Sequence, residues 1–352
     1  MGAGLLGTAS ANPLSLKRAD FISSVDPKWC AGCGCYSVLR WLTGTFPGMN
    51  VPREKFAVIS GIGCSSRLPY YVDTFGFHTV HGRAMTVATG LKIAQPDLSV
   101  WVITGDGDAL SIGGNHFMHM IRRNPDIKVI LFNNQIYGLT KGQASPTTAK
   151  GKKTKSTPFG SFDQPLRPLS MAIAAGATFA ARVADTDGEL MADILAQAAQ
   201  HRGTAFVEVL LNCVIFNDGT FSHLTDKAVK NDTTVRLRDG QPLVFGASKN
   251  QVITIDGFRP QVAAFEPGSA VPDNALIHDV GVEDPSLAFL LSNMEHPELP
   301  VPVGVFRKVA APVYNDNYAP RGGDLSKVLQ GNDAWVENAE GEIRAAGAAT
   351  AG

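Results

Sequence analysis

No apolar run in the 352 residues approaches the roughly 20 that a membrane-spanning helix needs. The opening residues also lack a charged segment followed by a long apolar stretch, so no secretory leader is read there. Neither sign of charge is in excess. With 31 basic residues against 32 acidic ones, no global field would hold the chain on DNA, RNA or an anionic membrane. These absences predict a cytoplasmic protein with neither nucleic acid nor membrane as a partner, although local basic patches stay open. Cysteine is scarce, five in all, and the number is odd. Three of them crowd together at Cys30, Cys33 and Cys35, Cys64 is nearby and Cys213 is far away, which in a reducing compartment suggests metal ligands rather than disulfides. No internal repeat is found.

What is present is an ordinary globular composition, 44% hydrophobic and 18% charged, able to bury a substantial core. The first 20 residues are rich in Ala, Gly and Ser and read as a loose extension, so the fold is expected to start near Phe21. Short apolar runs at 56–60, 100–104, 129–133 and 205–210 read as buried strands. Helical stretches at 84–94, 114–122 and 188–201 have lengths that suit crossover connections. The expectation is a doubly wound α/β domain over 21–219 with a mostly parallel sheet, whose ligands bind beyond the carboxyl ends of the strands. Residues 145–160 form a loop carrying Lys150, Lys152, Lys153 and Lys155, too long for a simple connection. Beyond about Thr220 the rhythm weakens, so 220–340 is read as an irregular region packing on the domain or on a partner, and 341–352 as a disordered tail.

The run at 100–104 is followed by Gly105-Asp106-Gly107-Asp108, and the next by Asn133-Asn134. Glycines let a backbone approach a phosphate closely, and the helix that follows points its N-terminal NH groups at the same place. Asp106 is then placed to hold a hard cation, and magnesium suits one carboxylate, one amide oxygen and a backbone carbonyl. Gly-Asp-Gly alone reads equally as a tight turn. The 25 residues between Gly107 and Asn133 fit a helix and a returning parallel strand, which brings both motifs to one sheet edge.

Trp29-Cys30-Ala31-Gly32-Cys33-Gly34 sets two thiolates on a tight turn, and Cys64 and Cys213 each follow a strand. Four thiolates converging in this way suit a structural zinc or a 4Fe-4S cluster, and spacing does not choose between them. Cys35, at the head of an apolar helical run, reads as a buried core residue.

Gly-Asp-Gly followed by Asn-Asn resembles the diphosphate motif of thiamine-diphosphate enzymes. Taken with Trp-Cys-x-Gly-Cys-Gly, Gly61-Ile62-Gly63-Cys64-Ser65, His81-Gly82-Arg83 and Tyr137-Gly138-Leu139-Thr140-Lys141-Gly142-Gln143 before Ser145-Pro146-Thr147, the sequence resembles the β subunits of 2-oxoacid:ferredoxin oxidoreductases over roughly residues 25–216. The resemblance implies magnesium held by Asp106, the Asn134 side chain and the main-chain oxygen of Ile136. It implies thiamine diphosphate against Gly63, Ser65, Gly105, Asp106, Gly107, Asp108, Asn134, Ile136, Gly138 and Thr140, and one 4Fe-4S cluster on Cys30, Cys33, Cys64 and Cys213. It further implies oxidation of a 2-oxoacid to an acyl-CoA with reduction of ferredoxin, and an α subunit that supplies the carboxylate for the cofactor's aminopyrimidine, with a further pairing of αβ units.

Substrate residues are expected at Arg67, whose planar fork suits a distal carboxylate, and at Lys141, Leu139 and His81. Pyruvate-specific relatives usually carry Asn where Leu139 stands, which favours 2-oxoglutarate, with a broad-specificity or pyruvate-type enzyme as the alternative. His78 and His81, with no third ligand in view, read as polar pocket or structural residues, as does Arg83. The lysine loop either orders over coenzyme A phosphates or is simply solvated. A non-redox thiamine-diphosphate enzyme leaves the four cysteines unexplained, and a zinc-stabilised interaction module would be colourless where a cluster is brown.

Overall fold

A computed structural model describes residues 14–318 together with the short strands Trp335–Glu337 and Ile343–Ala345. Apolar runs build the main sheet from β1 (Phe56–Ser60), β2 (Phe75–His78), β3 (Ser99–Gly105), β4 (Ile127–Asn133), β5 (Phe179–Ala184), β6 (Ala205–Leu210) and β7 (Thr234–Arg236). A small antiparallel sheet follows with β8 (Val244–Phe245), β9 (Gln251–Asp256) and β10 (Arg259–Ala264), and β11 (Val301–Lys308) then returns to the main sheet. The order is β2-β1-β3-β4-β6-β5-β11-β7. Every pairing from β2 to β5 is parallel, whereas β11 runs antiparallel to β5 and parallel to β7.

The helices that cover the two faces include α1 (Cys35–Thr45), α2 (Ala84–Ala94), α3 (Asp106–Leu110), α4 (Gly114–Arg123), α5 (Pro168–Ala174) and α6 (Gly188–Gln200). Because successive strand residues point to opposite faces, each central strand feeds two cores. Trp101, Ile103, Ile130 and Phe132 pack with Leu42 of α1 and Ile194 of α6. Val100, Val102, Val129 and Leu131 pack with Met85 of α2, Phe117 of α4 and Ile173 of α5. Each large side chain fully buried in this way contributes about 1.5–3 kcal/mol, which is why strands covered on both faces read as unbroken apolar runs.

The strands at 56–60 and 205–210 and the helix at 84–94 fall where the sequence places them. Strand β5 was not anticipated, because Phe-Ala-Ala-Arg-Val-Ala has weak β-propensity and an arginine in its middle. That arginine, Arg182, is buried and paired with the buried Glu208 of β6. Strand β11 is interrupted by Pro302 and Gly304, and the edge strand β2 is exposed throughout, so neither carries a clear signal. The region beyond Thr220 is not a layer apart, since β7 and β11 complete the main sheet. The expected N-terminal extension lies outside the described residues over 1–13. Within its remainder Arg18–Phe21 forms a 3-10 turn, and Phe21 is buried edge-to-face on Phe46 and Phe56 at 5.3 and 5.4 Å. The expected tail lies outside the described residues except for Ile343–Ala345, which pairs with Trp335–Glu337.

The Arg182–Glu208 pair makes a stability prediction. Glu208 Oε2 accepts from Arg182 Nε at 2.7 Å and Oε1 from Asn133 Nδ2 at 2.8 Å. Arg182→Met leaves a buried carboxylate without its counter-charge and is expected to cost about 3–5 kcal/mol in urea unfolding, much of it recovered by adding Glu208→Gln. A loss below about 1 kcal/mol would show that the pair is not held as described.

Candidate active site

Because β1, β3, β4 and β6 run parallel, the loops that follow them emerge at one edge of the sheet. The strand order reverses between β1 and β3, so the loop after β1 and the Gly105–Asp108 turn flank a crevice. Two adjoining cavities lie there, of about 490 and 220 Å³. The larger is lined by Gly63, Ser65, Gly105, Asp106, Gly107, Asp108, Asn134, Ile136, Gly138 and Thr140, together with His81 and Leu139. Its size is that of a site for an organic cofactor.

Asp106 is buried, and its Oδ2 accepts from Ser145 Oγ and Thr147 Oγ1, each at 2.6 Å. Burial pushes its carboxyl up to about 6 despite these two hydrogen bonds, which pull the other way. Thr147 Oγ1 also lies 3.0 Å from Asn133 Oδ1, and Asn133 is in turn held by Glu208. A continuous buried chain thus runs from Arg182 through Glu208, Asn133 and Thr147 to Asp106. Ser145 and Thr147 were quoted only as part of a motif, and the hydroxyls on either side of Pro146 were the available signal for their role. The second glycine of the turn has a different reason from the one expected: a side chain at Gly107 would overlap the ring of Tyr137, whose hydroxyl donates to Gly107 O at 3.1 Å.

Asp108 lines the same cavity, but its carboxylate is turned inward. It accepts from Thr104 Oγ1 (2.6 Å), the amides of Ile62 (3.0 Å) and Gly82 (2.7 Å), and His81 Nδ1 (2.7 Å). Saturated in this way, the carboxylate holds the loops after three strands together.

Cys30, Cys33, Cys64 and Cys213 all line the smaller cavity. A turn closed by Cys33 N on Cys30 O (3.1 Å) carries the first two, and Trp29 Nε1 donates to Cys64 O (2.7 Å), tying that turn to the loop after β1. A methyl at Gly138 would stand 3.4 Å from Cys213 Sγ and 3.8 Å from Cys64 Sγ. Among the described residues no group of three or more His, Cys, Asp or Glu stands as a ready single-ion site. Cys35 is buried at the start of α1 and borders both cavities.

The thiols are electrostatically unlike. A hydrogen bond from Cys35 lowers Cys33 to about 7, whereas burial, helped by repulsion from Cys33, Cys213 and Cys30, raises Cys64 to about 11. Cys35 is pushed well up by its bond to Cys33 and by burial. Asp185, just past the unanticipated β5, presses on this cluster: a side chain at Gly34 would overlap its carboxylate, and its charge opposes ionisation of Cys33. No sequence signal marked it.

Arg67 and Lys141 line the smaller cavity and not the larger. Cys64 is followed at once by a 3-10 turn, Ser65–Tyr71, in which residues three apart eclipse, so Arg67 stays on the side of Cys64 while Ser65 faces the larger cavity. Lys141 turns away through a left-handed backbone at φ 76°. His78 bonds only to Thr79 O, at 3.1 Å, and Arg83 to the carbonyls of His81, Gly82 and Ile112. The lysine loop is pinned by Gly151 N on Ser161 O and Ser161 N on Lys152 O, with its four lysines exposed and Ser156 at the larger cavity.

Residues 61–209 match the family described as thiamine pyrophosphate enzyme, C-terminal TPP binding domain. The 2-oxoglutarate oxidoreductase subunit KorB of Mycobacterium tuberculosis is 47% identical over 332 residues, 91% of this chain and 88% of that protein. The 2-oxoglutarate synthase subunit KorB of Archaeoglobus fulgidus is 41% identical over 230 residues, 64% of this chain and 85% of the relative. Among solved structures, a 2-oxoglutarate:ferredoxin oxidoreductase from Magnetococcus marinus, with 2-oxoglutarate, coenzyme A and succinyl-CoA bound, superimposes with a TM-score of 0.71 at 32% identity. The superposition covers 90% of this chain and 96% of that one.

The spread of thiol ionisation makes a labelling prediction for metal-free protein. At about pH 8 the thiolate fraction favours Cys33 over Cys64 by roughly three powers of ten, and the weaker intrinsic nucleophilicity of a low-pKa thiolate gives back almost two. Iodoacetamide should therefore modify Cys33 about tenfold faster than Cys64, as read by peptide mass spectrometry. Equal rates would contradict the hydrogen bond from Cys35.

Proposed function

Since the chain belongs to the β subunits of the 2-oxoacid:ferredoxin oxidoreductases, we propose that it carries the thiamine diphosphate of an enzyme that oxidises 2-oxoglutarate, with coenzyme A, to succinyl-CoA and CO2 while reducing ferredoxin. The observation that carries this reading is the meeting, at one sheet edge, of a cofactor-sized cavity built on Gly105–Asp108 and Asn134 with a second cavity walled by four thiols. Thiamine diphosphate, when bound, supplies a nucleophilic carbon that attacks the ketone of the oxoacid and takes up the electrons left as CO2 departs.

We assign magnesium to Asp106, the Asn134 side chain and the main-chain oxygen of Ile136, an all-oxygen set bordering one cavity. Ser145 and Thr147 fix Asp106 through Oδ2. Cys30, Cys33, Cys64 and Cys213 are the proposed ligands of one 4Fe-4S cluster. What supports a cluster is that the four thiols line one cavity of about 220 Å³ directly beside the cofactor-sized one, where electrons could leave the cofactor. Lys28, Arg67 and Lys141 border that cavity and offset the charge of thiolate ligation. Leu139 offers an apolar wall to the substrate chain.

Both carboxylates lining the larger cavity are committed, Asp106 to hydroxyls and the proposed cation and Asp108 to His81 and backbone amides. Membership of the β-subunit family implies that the carboxylate the aminopyrimidine requires comes from an α subunit, with the αβ pair as the active unit. Five free thiols fit a reducing, cytoplasmic setting.

Two tests follow. The chain co-expressed with its α partner without oxygen should be brown and should reduce a viologen acceptor with 2-oxoglutarate, with kcat/KM at least about tenfold above that for pyruvate, a difference of roughly 1.4 kcal/mol. Colourless, zinc-containing protein would sink the cluster, and equal turnover of both oxoacids would replace the assignment with a broad-specificity enzyme. The second test uses Asp106, which binds a cation only when ionised. Its carboxyl is raised to about 6, so the apparent affinity of the αβ apoenzyme for magnesium and thiamine diphosphate should be level above about pH 7 and fall about tenfold per pH unit below about 6. A calorimetric affinity that stays flat down to about pH 5 would remove Asp106 from the metal.

A further inference from the structure

His81 is the one histidine among the described residues that lines the larger cavity. Its ring is set by Asp108, whose side chain is 1% exposed and whose oxygens face three backbone or side-chain donors besides the imidazole. Amides of Ile62 and Gly82 have only protons to offer, and Asp108 Oδ1, which receives both, takes His81 Nδ1 at 2.7 Å as a third donor. The ring proton therefore sits on Nδ1 and the lone pair on Nε2. Nε2 makes no hydrogen bond among the described residues, and 37% of the side chain stays accessible. The arrangement is a built one: a side chain at Gly61 would overlap the Asp108 carboxylate, and a side chain at Gly82, at φ 71°, would overlap the backbone of Gly113.

The other carboxyl and the phenol of the cavity are engaged. Asp106 accepts from two hydroxyls, and Tyr137 donates its proton to Gly107 O. A buried carboxylate orienting an imidazole whose second nitrogen is left open is the arrangement of a general base.

We propose that His81 is the base that removes the proton of the coenzyme A thiol, with Asp108 as its positioning residue; this rests on the chain being the subunit of a CoA-dependent oxidoreductase. The overall reaction releases one proton and two electrons. The electron pair left by CO2 passes to two ferredoxins singly, and the sulfur then attacks the oxidised acyl carbon. As the S–C bond forms the S–H bond breaks, the bond from that carbon to the cofactor breaks with its electrons returning to the cofactor carbon, and the thiol proton moves to Nε2. Asp108 balances the imidazolium until the proton leaves through the accessible side of the ring.

The test uses the αβ holoenzyme, with the CoA-free burst of viologen reduction and the CoA-dependent formation of succinyl-CoA measured side by side. For His81→Gln the ratio of the CoA-dependent to the CoA-free rate should fall about 100-fold, within the usual range for a lost general base. Thiamine diphosphate affinity, read by calorimetry, should stay within about twofold, and added imidazole should restore part of the CoA-dependent rate in His81→Ala. An equal loss in both phases, a lost cofactor affinity, or an unchanged ratio would each overturn the role of His81 while leaving the wild-type activity, and so the functional reading, in place. A wild-type complex that makes no succinyl-CoA from 2-oxoglutarate would overturn that reading and the proposal with it.

Discussion

A carboxylate taken out of water in the middle of the sheet constrains everything above it. Glu208 is 1% exposed, and a charge in that position persists only if its partners are fixed in number and direction. Arg182 meets one oxygen and the Asn133 amide the other, so the orientation of Asn133 is no longer free. Its remaining oxygen faces Thr147, and Thr147 with Ser145 closes on Asp106. The order of the loop carrying Ser145 and Thr147 is in this sense inherited from an ion pair on two strands. Such pairs add little to stability after desolvation is counted, but they permit few alternative arrangements.

Asp106 and Asp108 stand two residues apart at the start of α3 and have opposite fates. Asp106 meets two hydroxyls on one oxygen, and burial raises its carboxyl to about 6. Asp108 is saturated by four donors drawn from the ends of β1, β2 and β3 and needs nothing further. Identical side chains thus acquire distinct roles from their surroundings alone, as paired carboxylates in active sites commonly do.

The sheet edge was legible in the sequence because unbroken apolar runs mark doubly covered strands, and because motifs that follow parallel strands must share an edge. The gathering of Gly105–Asp108, Asn134, Cys64 and Cys213 came from that rule. Linear spacing does not say to which side of a loop a residue turns: Arg67 lies on a 3-10 turn after Cys64, Lys141 has a left-handed backbone, and both line the cavity on the thiol side. Strand β5 was hidden for a related reason. Its buried Arg182 looks like a surface residue until the matching Glu208, 26 positions away, is known to lie beside it. Asp185 was invisible because it follows that unrecognised strand.

The two cavities share a wall made of Cys35, Cys64, Asn134, Gly138 and Leu139, one residue thick. The consequence is a restriction on how the protein can change. A side chain at Gly138 that reshapes the larger cavity also pushes on Cys64 and Cys213, and a rearrangement on the thiol side shifts one wall of the larger cavity. On the proposed assignment of the two cavities, substrate range and redox behaviour are therefore not separate traits, and a variant reshaped for a new oxoacid is expected to disturb the cluster beside it.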